Sequence, residues 1–176
     1  MTKKSYLCSF KKIFMLIKIL DKEFRPYISS EKIAQEVERL AREVEEQMHG
    51  KTPLFISILN GSFMFASDFI RAYQGDCQVS FVRFSSYEGL QSTHKVKQLF
   101  GLPFDIVGRD VVVIEDIVDT GRTIKTVVET LMNKGATSVQ VVTLLDKPSR
   151  RVVDVTPDYI GFKIGNEFVV GFGMDF

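Results

Sequence analysis

Three carboxylates, Glu115, Asp116 and Asp119, fall within five residues. They follow the apolar run VVVI at 111–114 and lead straight into Thr120, Gly121, Arg122 and Thr123. An ionised carboxylate offers only acceptor oxygens, so it suits a partner rich in hydroxyl donors. Successive backbone N–H groups at the start of a helix, with the helix dipole behind them, suit a phosphate. Gly121 lets the backbone come close to such an anion, and Thr120 and Thr123 add hydroxyl donors. The pattern implies a ligand with a phosphate at 119–123 and hydroxyls at 115–116, as in a phosphorylated sugar. Neither the G-x-x-x-x-G-K-[ST] loop nor G-x-G-x-x-G is present here. The competing reading of the same residues is an acidic surface loop after a core strand.

For the sugar-phosphate geometry to arise, 111–115 must be a buried strand and 123–132 a helix, with the carboxylates at the strand's carboxyl end. The rest of the chain supplies a matching frame. Ser29 and Ser30 cap a helix over roughly 31–48, whose Ile33, Val37, Leu40, Val44 and Met48 form one apolar stripe ended by Gly50. The run LFISIL at 54–59 suits a strand buried on both faces. A helix over roughly 62–73 carries Phe63, Phe65, Ala66, Phe69 and Ile70. Residues 77–84 and 138–145 read as further strands, and 146–176 as short strand pieces broken by Pro and Gly. This alternation predicts an α/β fold with a mainly parallel sheet covered by helices on both faces. Residues 85–103 have no clear period, and a connection of that length reads as a lid.

The 176 residues are 45% hydrophobic and 26% charged, which fits one globular domain. The apolar runs are far too short to cross a bilayer, so no membrane partner is expected. Cys8 and Cys77 have no ligand spacing and read as reduced thiols of a cytoplasmic protein. Residues 1–20 carry Lys3, Lys4, Lys11, Lys12 and Lys18 and no acid; setting those five aside leaves 18 basic against 22 acidic residues, a balance of −4. A nucleic-acid binder usually carries its basic excess in the folded part, so none is expected here. Residues 1–14 read as a disordered basic extension, and 15–176 as a single domain.

The segment VVVIEDIVDTGRTI resembles the signature of the type I phosphoribosyltransferases, which bind 5-phosphoribosyl 1-pyrophosphate (PRPP). Four more segments resemble the hypoxanthine (hypoxanthine-guanine) branch: LNGSFMFASD at 59–68, FVRFSSYEGLQST at 81–93, LLDKPSRR at 144–151 and PDYIGFKIGNEFVVGFGMD at 157–175. The resemblance spans about 16–176 and implies that family's fold, a mainly parallel sheet flanked by helices, with a small hood formed from the two ends of the chain.

It also implies roles. Glu115 and Asp116 would accept from the ribose hydroxyls, and Asp119, Thr120, Gly121, Arg122 and Thr123 would wrap the 5′-phosphate. Asp119 would face purine N7 as a general base, and Lys147 would donate to the 6-oxo group. Phe168 would stack on the base and Val169 would meet its edge through the main chain. Leu59, Asn60 and Gly61 would bind pyrophosphate, in the family often through a non-proline cis peptide. Ser86 and Tyr87 would close over the reacting centre. Mg²⁺ would be held by Glu115, Asp116 and Asp175. The implied activity is purine salvage from PRPP and a 6-oxopurine, by a homodimer or homotetramer. The alternatives are a transferase for another base such as xanthine, or a nucleotide-sensing RNA-binding regulator on the same fold. Two departures stand out. Asn60 replaces a lysine found in some relatives, and the sequence ends at Phe176, before an arginine that the family places near pyrophosphate. The second implies a truncated sequence or a weaker hold on pyrophosphate.

Overall fold

The computed structural model describes residues 4–8, 16–86, 96–98 and 106–174. In chain order the elements are β1 (Lys4–Cys8), β2 (Ile17–Ile19), β3 (Lys22–Ser29), α1 (Ser30–Gln47), β4 (Leu54–Ile58), α2 (Phe63–Ala72), β5 (Gln78–Val82), β6 (Phe84–Ser86) and β7 (Val96–Gln98). They continue with β8 (Asp110–Val118), α3 (Arg122–Asn133), β9 (Ser138–Asp146), a 3₁₀ turn at Pro148–Arg150, β10 (Tyr159–Lys163) and β11 (Val169–Val170).

The central sheet has the order β10-β9-β8-β4-β5, and every neighbouring pair is parallel. Strand β4 is buried at all five positions, as its unbroken apolar run requires of a strand covered on both faces. Its side chains divide by alternation. Phe55 joins Val112, Ile114, Val142 and Leu144 under the apolar stripes of α1 and α2. Leu54, Ile56 and Ile58 join Val111, Val113 and Val141 under Ile124, Val127 and Leu131 of α3. The predicted two-sided parallel sheet is therefore present. Helix α1 begins at the expected cap, where the Ser29 hydroxyl accepts from the Lys32 amide. No helix among the described residues is long and apolar enough to cross a membrane.

Three features differ from the sequence expectation. Strand β8 does not stop at Glu115: the ladder with β9 runs on through Glu115↔Thr143, Ile117↔Leu145 and Val118↔Asp146. Parallel β9 extends to Asp146 and supplies the backbone partners that carry β8 past its carboxylates. The second concerns the small hood expected from the two ends of the chain, which is a sheet ordered β11-β1-β3-β2. Residues 4–8, expected to lie in a structureless extension, form its inner strand β1, parallel to both β3 and β11. The main chain there gains ladder partners on both sides, which local composition does not reveal. Further along, the strand expected over 77–84 divides at Arg83, and β6 pairs antiparallel with β7 instead.

Candidate active site

The site lies at the carboxyl end of β8, where the chain turns into α3. Because β8 alternates, Glu115 follows Val111 and Val113 toward the α3 side, while Asp116 faces the α2 side. Glu115 lines a cavity of about 100 Å³ together with Ile117, Val118, Asp119, Thr120, Gly121, Thr123 and Ile124. Its Oε2 is shut off from solvent and has no hydrogen-bond partner among the described residues. Burial, and then the neighbouring Asp116 charge, push the Glu115 carboxyl well above its ordinary value of 4.5. A buried acceptor with nothing to accept from is the state expected of a group that awaits a donor.

Asp116 accepts from the Ile117 amide and lies against the turn between β4 and α2. A β-carbon at Gly61 would collide with the Asp116 carboxylate, and one at Gly173 would come within 2.6 Å of the Gly61 carbonyl oxygen. Residues 59–61 are thus held between β8 and the hood, at distances only glycine permits. The Leu59–Asn60 peptide is cis. Below it, buried Ser62 donates to the Ile58 carbonyl at 2.5 Å and meets Ser57 at 2.7 Å.

The turn itself is set by Gly121, which caps α3 with φ 82°, in the left-handed region. Thr120 accepts from the Arg122 amide at 3.5 Å, Arg122 is exposed at the first position of α3, and half-buried Thr123 follows it. A helix start with inward N–H groups and flanking hydroxyls can hold an anion.

Lys147 lies just past the end of β9. Its amide donates to the Val118 carbonyl at 2.9 Å, which fixes the lysine segment to the end of β8. The residue is only 8% exposed. Burial lowers the ammonium below its ordinary value, partly offset by the charge of Asp119. The Arg150 charge lowers it further and that of Glu167 raises it, so hood and lysine segment adjoin. Val169 is buried in β11, while Phe168 is 40% exposed, tilted against fully buried Phe24 of β3 at 6.4 Å between centroids. A partly exposed aromatic ring can receive a flat ligand.

Three side chains at the site escaped the sequence reading. Arg150 pairs with Asp119 at 3.0 Å. Arg151 pairs with Asp146 and donates to the carbonyls of Val118 and Asp119. The run Arg150-Arg151 after Lys147 is visible in the sequence as a basic cluster, but its targets, two carboxylates and two main-chain oxygens, are not. Ser86 ends β6, and Tyr87 and Asp175 lie outside the described residues. Among the described residues no three acidic, His or Cys side chains converge as a metal site.

Comparison with known proteins gives a consistent result. The phosphoribosyl transferase domain matches residues 27–176. A hypoxanthine-guanine phosphoribosyltransferase of Lactococcus lactis is 42% identical over 164 residues, 92% of this chain and 89% of that protein. The hypoxanthine phosphoribosyltransferase of Escherichia coli is 41% identical over 152 residues, 85% of each chain. A crystal structure of a hypoxanthine-guanine phosphoribosyltransferase from Bacillus anthracis superposes with a TM-score of 0.79 at 40% identity, over 85% of this chain and 86% of that one.

Proposed function

Because the chain belongs to the phosphoribosyltransferase family, in its hypoxanthine-guanine branch, we infer that it is a purine salvage transferase. It moves the 5-phosphoribosyl group of PRPP to hypoxanthine or guanine, giving the nucleoside monophosphate and pyrophosphate. The observation that carries this reading is the bond from the Lys147 amide to the Val118 carbonyl. It holds buried Lys147 beside the 119–123 turn, which supports a reading in which base and sugar-phosphate meet at one strand end.

In this reading the turn at 119–123 takes the 5′-phosphate, and the orphaned Glu115 oxygen accepts from a ribose hydroxyl. Asp116, beside the 59–61 turn, sits between the ribose and the pyrophosphate. The exposed face of Phe168 stacks on the purine and the main chain of Val169 meets its edge. The reaction forms a bond from purine N9 to the anomeric carbon as the bond to pyrophosphate breaks. The purine's proton is taken at N7 by Asp119. Arg150 holds one oxygen of that carboxylate in place. Ser86 and Tyr87 close over the centre and exclude water.

Mg²⁺ fits the acidic side of the site. It is a hard cation that keeps several waters and binds through one or two carboxylates plus substrate phosphates. Glu115, Asp116 and Asp175 would hold it, and when bound it neutralises charge on the departing pyrophosphate. The enzyme works as a homodimer or homotetramer in the cytoplasm. Phe63 and Met64 of α2 and Phe81 of β5 are among the exposed apolar side chains that self-association could cover.

Pyrophosphate release from PRPP and Mg²⁺ across a purine panel tests the activity. Hypoxanthine and guanine should turn over, and adenine should not, because its 6-amino group would face the Lys147 donor. Comparable turnover of adenine would overturn the Lys147 assignment. Turnover of xanthine alone would establish the other-base reading, and RNA binding without transfer would establish the regulator.

A further inference from the structure

Asp119, Thr120 and Gly121 present their N–H groups in one direction only if their peptide planes are held that way. The structure shows what holds them. The Arg151 guanidinium donates through Nη1 to the Val118 carbonyl at 3.1 Å and to the Asp119 carbonyl at 2.6 Å. The next carbonyl, of Thr120, accepts from the Val152 amide at 3.1 Å. Three successive carbonyls are thus drawn back toward residues 151–152. These peptides are trans, so each N–H points opposite to its own carbonyl. The amides of residues 119, 120 and 121 are therefore turned away from Arg151.

The guanidinium is itself fixed. Its Nη2 pairs with Asp146, and the two side chains are 14% and 3% exposed. The aliphatic stem fills the space under the turn: a β-carbon at Gly121 would lie 2.7 Å from Arg151 Cδ and 2.5 Å from Val155 Cγ1. The planar fork of arginine can meet a carboxylate on one edge and two carbonyls on another, whereas the lysine ammonium is a single point donor.

We propose that Arg151 is the positioning residue of the phosphate turn, aligning its amides for the 5′-phosphate of PRPP without touching the substrate. This rests on the assignment of residues 119–123 to that phosphate. Arg151 fixes the carbonyls of Val118 and Asp119, Asp146 fixes Arg151, and Asp146 ends the strand that leads into Lys147. The base-recognition segment and the phosphate turn are therefore braced by one side chain.

The test is calorimetric binding of ribose 5-phosphate, with steady-state kinetics, for the full chain and its Arg151→Lys, Arg151→Ala, Asp146→Asn and Thr123→Ala variants. Arg151→Lys should weaken ribose 5-phosphate binding and raise the KM for PRPP by about 10²-fold, as expected when a site is displaced by about 1 Å. The KM for hypoxanthine should change only a few-fold. Guanidinium added to Arg151→Ala should restore part of the lost affinity, while ammonium should not. Asp146→Asn should shift the same constants in the same direction by less, and it carries the test if the Arg151 variants fail to fold. If Thr123→Ala weakens ribose 5-phosphate binding but folded Arg151→Lys binds it like wild type, the phosphate turn stands and the brace is wrong. If the wild-type protein does not bind ribose 5-phosphate, the assignment of the turn fails and the brace with it.

Discussion

Strand β8 carries an acid near each end, and the two live under opposite conditions. Asp110, its first residue, accepts from Ser138 and pairs with Lys51 at 3.1 Å. The Ser138 hydrogen bond, more than the lysine charge, holds the Asp110 carboxyl below its ordinary value of 3.8. Glu115, five residues on, has an oxygen without a partner among the described residues and is pushed upward by burial. Nearby charges repeat the contrast. At the amino end Arg109 reaches Gln78 and the Thr52 carbonyl. At the carboxyl end Lys147 is buried and its ammonium disfavoured. At the amino end the protein holds the charged form of Asp110, and at the carboxyl end burial works against the charged forms of Glu115 and Lys147. In the proposed reading the same strand thus serves as girder at one end and binding site at the other.

The contrast predicts where substitutions hurt and what kind of harm they do. The largest effect belongs to the carboxyl end. Asp119→Asn keeps the shape of the turn but cannot take the purine's proton, so kcat should fall by about 10²–10⁴-fold. The PRPP dissociation constant should change little, because the phosphate contacts are mainly main chain. A near-normal kcat would reduce Asp119 to a residue that only shapes the loop.

Removing residues 1–8 takes the inner strand from the small sheet. It should lower Tm by several degrees, since about 1 kcal/mol shifts a domain of this size by about 2–4 °C. An unchanged melting point, measured by calorimetry, would place these residues outside the fold.

Glu115→Gln and Asp110→Asn should move stability with opposite pH trends. A carboxyl raised on folding binds its proton more tightly in the native state. Native stability is therefore lost as pH rises from near 4.5 through the raised Glu115 value. Glu115→Gln should accordingly raise Tm at neutral pH, give no gain at strongly acid pH, and weaken PRPP binding. For Asp110 the folded value is depressed, so its contribution is present above 3.8 and fades as pH falls through the folded value. Asp110→Asn should lower Tm slightly at neutral pH, converge with wild type in acid, and leave kcat and KM unchanged. Tm measured against pH for the pair decides it: parallel curves would break the comparison between the two ends.

Legibility in the sequence followed the range of the interactions. The cap at Ser29, the buried run of β4 and the segment from Glu115 to Thr123 are local patterns, and each was placed within a few residues. The small sheet was expected only through the family resemblance, as a hood formed from the two ends; no local pattern marks it, because its strands draw stability from pairing across the whole chain. Its member β3 contains Pro26 and mixes charged with apolar residues, so no period marks it. The extension of β8 to Val118 depended on the length of β9. Arg151 was invisible for a related reason: its partners include main-chain carbonyls, and residue type carries no record of them.

The pairing of Ser5 with Val169 and Tyr6 with Val170 sets a timetable for assembly. At about 5–20 residues per second, synthesis separates the two strands by on the order of ten seconds or more. During that interval β1 can pair with β3, but its other edge has no strand to meet. The central sheet from β4 to β9 can form meanwhile, so the proposed sugar-phosphate site precedes the hood proposed to complete the base pocket. Chains halted before residue 169 should therefore resist protease over β4–β9 yet be cut near the amino end, and equal resistance of both regions would contradict this order. In such a timetable the last strand to emerge acts as a latch on the first.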